Sequence, residues 1–427
     1  MKNRLTLLIL MLTSALSFSF KNDLSTICVR PDSDELFIGG EFKTIFVIDK
    51  NSGTELRRIS LESKAIDMQF SENGEHLLVF DGSKVMFLHP ETGEEKMFVK
   101  AGSALLYEDS PYFIDCDWIF TKSVTVYSTE DGSVVLKHTP EFDPLNAGFD
   151  AEFKELIILG RSQEIKSEKK LIVKRVEQED SYNIYNKAYV EQQDDKKGSG
   201  FEVVDIESKS SKLKVEIPYI TSNSFGLSIS KFNEHYFLSC WDMLLKVDNA
   251  GMVMPISCSD ATFAYATNSI QEGKKIMVSS TKEGFVYDCE TEQIIPFNAK
   301  SDNEFVYSKD ITFDKNKTYM LNADYTVSVF NEKLVVTNRF KIDNSTGNGF
   351  GVYYYNGYSK KEDRDKEATI INKVGKAYEI DLIDLEQFIG SGDVLIATFE
   401  TIEKAEEYSS KLDAEGLNYI TKVAPIE

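Results

Sequence analysis

One short phrase recurs along this chain: an apolar or small residue, a polar turn rich in Asp, Glu, Asn, Gly and Lys, then a β-type run. It reads VRPDSDEL from residue 29, FSENGEHL from 70, YEDSPYF from 107 and FDAEFKEL from 149. It returns as ISKFNEHY from 229, SIQEGKKI from 269 and TFDKNKTY from 312. The spacing is about 40 residues, and the one gap from 149 to 229 is double that. A second turn follows later in most units, as in DKNSGTEL at 49, PETGEEKM at 90, TEDGSVVL at 129, DNAGMVMP at 248 and DCETEQII at 288. Gly53, Gly93, Gly132 and Gly251 in these turns suit the positive φ of a tight hairpin.

Between the turns lie runs such as HLLVF, KVMFL, SVTVY, ELIIL and KKIMV. Each unit therefore reads as four short strands, and residues 24–340 show no amphipathic helical period. A four-stranded sheet that is apolar on both faces cannot stand alone. Arranging such sheets in a ring covers both faces and limits free edges. The expected fold is all-β, a seven- or eight-bladed β-propeller of four-stranded antiparallel blades. GFGVYYYNG, EATIINKV and KAYEIDL, around the charged loop KKEDRDKE, read as an eighth, partial unit. Without it the count is seven with a decorated closure.

FSENGEHLLV and VIDKNSGTEL resemble the turn phrases of WD-repeat and YVTN-type propellers over residues 22–385. The Gly-His and Trp-Asp pairs of true WD repeats are absent from their places, and Trp241-Asp242 falls at the wrong strand. The resemblance thus implies the fold and no activity.

The doubled interval holds an insertion at 162–200, between ELIILG and FEVVDI, where a blade has an ordinary hairpin turn. KKLIVKRV and NKAYVEQ within it can extend the two strands outward as an arm. Tyr182, Tyr185 and Tyr189 on that arm suit a partner contact, because tyrosine is enriched at interfaces; a solvated loop is the alternative. Past DLEQFIGSG the period changes, and residues 393–427 read as a small βαβ unit. Ile402, Ala405, Tyr408 and Leu412 keep helical spacing, Thr401 caps the start and Gly416 marks the stop. This tail resembles one half of a sporulation-related repeat (SPOR) domain, through Val394, Ile396, Phe399, Ala405, Leu412 and Gly416. That resemblance implies peptidoglycan glycan strands as a ligand. The chain departs from the family at Leu395 and at Ala397-Thr398, where the family favours Gln and Gly-Ser, and Leu395 and Phe399 are expected as partner contacts. Such a half would be completed by a second copy or by packing on the propeller.

MKNRLTLLILMLTSALSFSF opens the chain with a basic start, an apolar run and small residues, the order of an export signal over residues 1–19. The apolar run is shorter than the roughly 20 residues of a spanning helix, and no later stretch is apolar enough to serve as one. The expected location is outside the cytoplasm: periplasmic, cell-surface or secreted. A net charge of −22 disfavours nucleic acid and anionic membranes as partners. Five cysteines form no CxxC pair and four histidines no HxxxH pair, so neither pattern supports a metal site. No GxSxG elbow or phosphate-loop motif is present. STGNGFG at 345 precedes a strand rather than a helix, and FDKNKTY at 313 lacks the acidic residues of a calcium loop. Catalytic residues, metals and cofactors are therefore all expected to be none. The expected function is a non-catalytic exported scaffold that binds protein partners of the cell envelope. The alternative is a propeller enzyme or carbohydrate-binding protein with its site at the mouth of the central channel.

Overall fold

A computed structural model describes residues 24–425, apart from 109, 118–120, 151, 162–169, 175–188, 194–198, 218–228, 241–242, 251, 258–263, 271–274, 281–283, 298–299, 302–303, 306–307, 315, 323, 343–349, 356–360, 379–392, 400 and 418–420. Seven four-stranded antiparallel sheets follow one another, each built from strands in sequence order except for the arm inserted in the fourth. Blade 1 comprises Leu24–Val29, Glu35–Gly40, Thr44–Asp49 and Glu55–Ser60. Blade 2 runs from Asp67 to Lys100, blade 3 from Ala104 to His138 and blade 4 from Asp143 to Ile217. Blades 5, 6 and 7 span Ile229 to Ser257, Ala264 to Phe297 and Ser308 to Lys341.

The double-sided apolar strands account for the ring. In blade 2, Leu77 and Val79 join the layer shared with blade 1, whereas Leu78 and Phe80 join the layer shared with blade 3. In blade 4, Leu156 and Ile158 face blade 3, and Ile157 and Leu159 face blade 5. Successive side chains of one strand point to opposite faces, so each middle strand serves two interfaces. The outermost strands differ. Glu95–Lys100 alternates exposed and half-buried residues, as expected where only one side is covered.

The ring closes chiefly through an apolar layer. Leu24, Leu36, Ile38 and Phe46 of blade 1 interlock with Tyr319, Leu321, Val327 and Val329 of blade 7. Among the described residues, no strand is exchanged between first and last blade. Lys50 Nζ of blade 1 adds an ion pair to Asp314 of blade 7 at 2.6 Å.

The sequence-based eighth unit is corrected. Lys361–Lys376, expected as a charged loop and a strand, is helix α1. Ile371 and Val374 are buried on it, with Ala368 and Ile370 packed beside them; this is helical spacing, which a short apolar run does not distinguish from a strand. Phe350–Tyr355 belongs to no blade. It is the central strand of a three-stranded antiparallel sheet, between Asp393–Phe399 and Thr421–Pro425. The described propeller strands thus end at Lys341. The tail expected to be half a unit gains its missing partners from the same chain. Helix α2, Ile402–Leu412, is capped by Thr401 and buries Ala405, Tyr408 and Leu412 against that sheet. The small unit touches blade 7, where Tyr325 Oη donates to the Val423 carbonyl at 3.3 Å and Lys341 lies 3.7 Å from Glu406.

Candidate functional site

The innermost strand of each blade borders the ring axis, and the repeat places the same position there each time. Thr26, Asp67, Asn146 and Asp310 each stand three residues ahead of Val29, Phe70, Phe149 and Phe313, which lead into the first turn. Three of the four side chains accept a hydrogen bond from the next residue's N–H: Asp67 Oδ1 from Met68 at 2.8 Å, Asn146 Oδ1 from Ala147 at 2.7 Å and Asp310 Oδ1 from Ile311 at 2.9 Å. The free oxygens of the two aspartates then reach neighbouring blades. Asp310 Oδ2 accepts from Ile27 N–H of blade 1 at 2.9 Å, and Asp67 Oδ2 from Leu106 N–H of blade 3 at 3.4 Å.

Further pins continue round the axis. Gln69 Oε1 accepts from Tyr107 N–H at 2.8 Å, while its amide donates to the Ser110 carbonyl at 3.2 Å. Tyr107 Oη donates to the Ala147 carbonyl of blade 4. Glu108 of blade 3 goes across rather than round, accepting from Phe313 N–H of blade 7 at 3.1 Å. Blades 3 and 7 are not neighbours in the ring, so this bond bridges the axis.

Three carboxylates thus converge beside the Cys28 thiol. Burial pushes Asp67 up to about 6 against the N–H groups that favour its charge. Asp310 rises to about 7, first from burial and then from the neighbouring charge of Asp67. Cys28 is raised well above its usual range by burial, with Glu108, Asp310 and Asp67 adding to the rise, so it stays a thiol. The cluster can hold protons near neutral pH and can fasten blades together. Among the described residues, no group of three His, Cys, Asp or Glu is placed to hold a metal ion.

Of the sequence-predicted contact residues, the structure describes Tyr189, Leu395 and Phe399. Tyr182 and Tyr185 lie outside the described residues, as do residues 1–19 of the expected signal. Tyr189 opens the arm strand Tyr189–Gln193, which pairs with Lys170–Lys174 and places Tyr189 opposite Lys174. Leu395 is 40% exposed on the small sheet. Phe399 is half-buried in the small unit, packed on Tyr378 and Tyr408 with ring centroids 6.1 and 5.4 Å away. Cys116 is buried between blades 3 and 4, its thiol pushed up to about 12. His76 rests edge-on against Phe87, and His138 Nε2 lies 3.2 Å from Glu202. The axial acids were missed. A polar residue three positions ahead of Val29, Phe70, Phe149 and Phe313 is shared by four of the seven copies, whereas Ala104 and Ala266 stand in the corresponding place in two others.

Seven sheets packed round a polar axis make this a seven-bladed β-propeller. No protein-family model matches the chain, and no curated protein matches it. Among solved structures it is similar to hydrazine synthase of Kuenenia stuttgartiensis, with a TM-score of 0.52 and 10% identity over 75% of this chain and 98% of that one. It is also similar to BamB from Moraxella catarrhalis, with a TM-score of 0.42 and 12% identity over 72% and 82% of the two chains. At 10% identity the likeness to hydrazine synthase speaks to fold alone and carries no activity with it. No helix among the described residues is long and apolar enough to cross a membrane.

Proposed function

We propose that this protein is a non-catalytic scaffold, exported from the cytoplasm, that binds protein partners of the cell envelope through its arm and its small α/β unit. The observation that carries this reading is the bridged axis. The acids that meet there are engaged by backbone N–H groups of other blades, as structural pins are, and Glu108 crosses the space a substrate would enter. The arm continues blade 4 beyond the Arg161 and Ser199 pair, and the small unit presents Leu395 on its sheet. The SPOR-like pattern of the tail supports peptidoglycan glycan strands as a further ligand of that unit.

One observation favours the second reading, an enzyme or carbohydrate-binding protein working at the axis: Asp67 and Asp310 titrate near neutral pH, where acids serve in proton transfer. The two readings separate in one experiment. Residues 162–198 are replaced by Asn-Gly, Leu395 by Asp, and Asp67 with Asp310 by Asn, each in the producing cell. Photo-crosslinkers at Tyr182, Tyr185 and Tyr189, and sedimentation with purified peptidoglycan, then report binding. A scaffold gives crosslinked adducts in the otherwise wild-type chain and in the Asn variant, loses its cellular phenotype with the arm, and loses sedimentation with Leu395→Asp. Absence of adducts in the otherwise wild-type chain, sedimentation that survives Leu395→Asp, and a cellular phenotype lost only in the Asn variant would sink the proposal.

A further inference from the structure

In blades 1, 2 and 3 the turn between the third and fourth strands closes the blade onto its predecessor. The closing residue is Gly53, Gly93 or Gly132, with φ of 75, 72 and 66°. A Cβ there would fall 2.4 Å from Phe340, 2.2 Å from Ile59 and 2.7 Å from Met97, all on the preceding blade. Blade 7 has Leu334 in the slot, and its side chain packs into the layer between blades 6 and 7. Blade 4 has Lys209, exposed to solvent. Blade 6 departs differently. Its turn is Asp288-Cys289-Glu290-Thr291-Glu292, and Glu292 takes the glycine slot at a φ of 56°, a strained conformation for this residue type.

Glu292 does not close the seam. Its carboxylate reaches Lys246 Nζ of blade 5 at 2.5 Å, and a cleft of about 490 Å³ lies between the two blades. Phe237, Cys289 and Lys246 are the buried residues of its lining. Phe232, Asn233 and His235 line the mouth. The ion pair is lopsided: the Lys246 side chain is 10% exposed and that of Glu292 is 62% exposed. A buried ammonium must keep an anionic partner, yet the partner here sits at the rim on a strained turn.

We propose that this cleft is a binding site for a small carboxylic acid with an apolar body, whose carboxylate displaces Glu292 from Lys246. The body then lies along Phe232 and Phe237, and Asn233 and His235 offer N–H groups at the mouth. The volume falls within the roughly 300–1,000 Å³ of small-molecule sites. A neutral ligand gains nothing from Lys246, because Glu292 stays in place. Glu290 also lines the cleft and repels a second negative charge, so the ligand is a monoanion. The same chemistry is offered by a free organic acid and by the C-terminus of a peptide.

Calorimetric titration of the full chain with phenylacetate, N-acetylphenylalanine and phenylacetamide tests the site. Saturable binding of at least one acid is expected, with none of the amide. Tighter binding of N-acetylphenylalanine assigns the site to peptide termini, and tighter binding of phenylacetate to free acids. Lys246→Met should weaken binding at least tenfold. Glu292→Gln keeps the turn and withdraws the competing charge, so it should tighten binding at least threefold. Melting curves check both variants, and if Lys246→Met does not fold, the Glu292→Gln result decides. Absence of saturable acid binding in wild type and Glu292→Gln, equal binding of acid and amide, or no change in Glu292→Gln would each overturn the assignment.

Discussion

At the level of single residues, the buried acids on the axis make stability depend on pH. An aspartate in an unfolded chain titrates near 3.9, whereas Asp67 and Asp310 titrate at about 6 and about 7 in the folded protein. Between those values the folded state holds more protons than the unfolded one, so stability falls as pH rises through this window. Each tenfold difference in proton affinity corresponds to about 1.4 kcal/mol. Thermal melts should therefore show a lower midpoint at pH 8 than at pH 5, and Asp310→Asn should shrink that difference. An undiminished difference in the variant would mean other groups carry it. Turn glycines give a second residue-scale contrast. Gly93→Ala meets both a positive φ and Ile59, whereas Gly416→Ala meets a positive φ in open space. Backbone strain alone costs on the order of 1 kcal/mol, so Gly93→Ala should lower the urea midpoint by clearly more than Gly416→Ala.

The small C-terminal unit shows how an element's partners decide what it is. GFGVYYYNG reads as a strand and forms one, but nothing local says which sheet it joins. Phe350, Val352 and Tyr354 alternate toward helices α1 and α2, and the strand is paired on both sides. Removing residues 393–427 would strip it of both partner strands and of α2. That truncation should expose the apolar face and bind hydrophobic dyes or aggregate. Removing residues 343–427 instead should leave a monomeric propeller on size-exclusion chromatography, because Ile342 still completes the layer between blades 7 and 1. If both truncations behave alike, the unit is not the self-contained element described.

For the molecule as a whole, closure is one more interface of the same kind as the rest. Phe46 lies fully buried where blade 7 meets blade 1, and Phe201 fully buried where blade 4 meets blade 5. Truncating either to alanine should cost about 3–5 kcal/mol in denaturant unfolding. A much smaller loss at Phe46 would show that the ring opens there before it unfolds. Ring membership was legible early, since FSENGEHLLV and its copies carry both turn and strand. The blade count was not, because EATIINKV satisfies a strand pattern as readily as a helical one. The axial site was legible only in part: Asp67 and Asp310 occupy one repeat column, but Glu108 joins them from a different position.

The amino-acid order by itself determined that this chain builds small four-stranded sheets and stacks them face to face. Side chains of a strand alternate, and strands apolar on both faces have no other way to leave water. Tertiary structure alone decided that the ring closes at seven and that residues 350–376 leave it for the C-terminal unit. It also decided that acids from blades 2, 3 and 7 meet beside Cys28. Those outcomes rest on contacts between segments far apart in the chain, and no local pattern of residues encodes them.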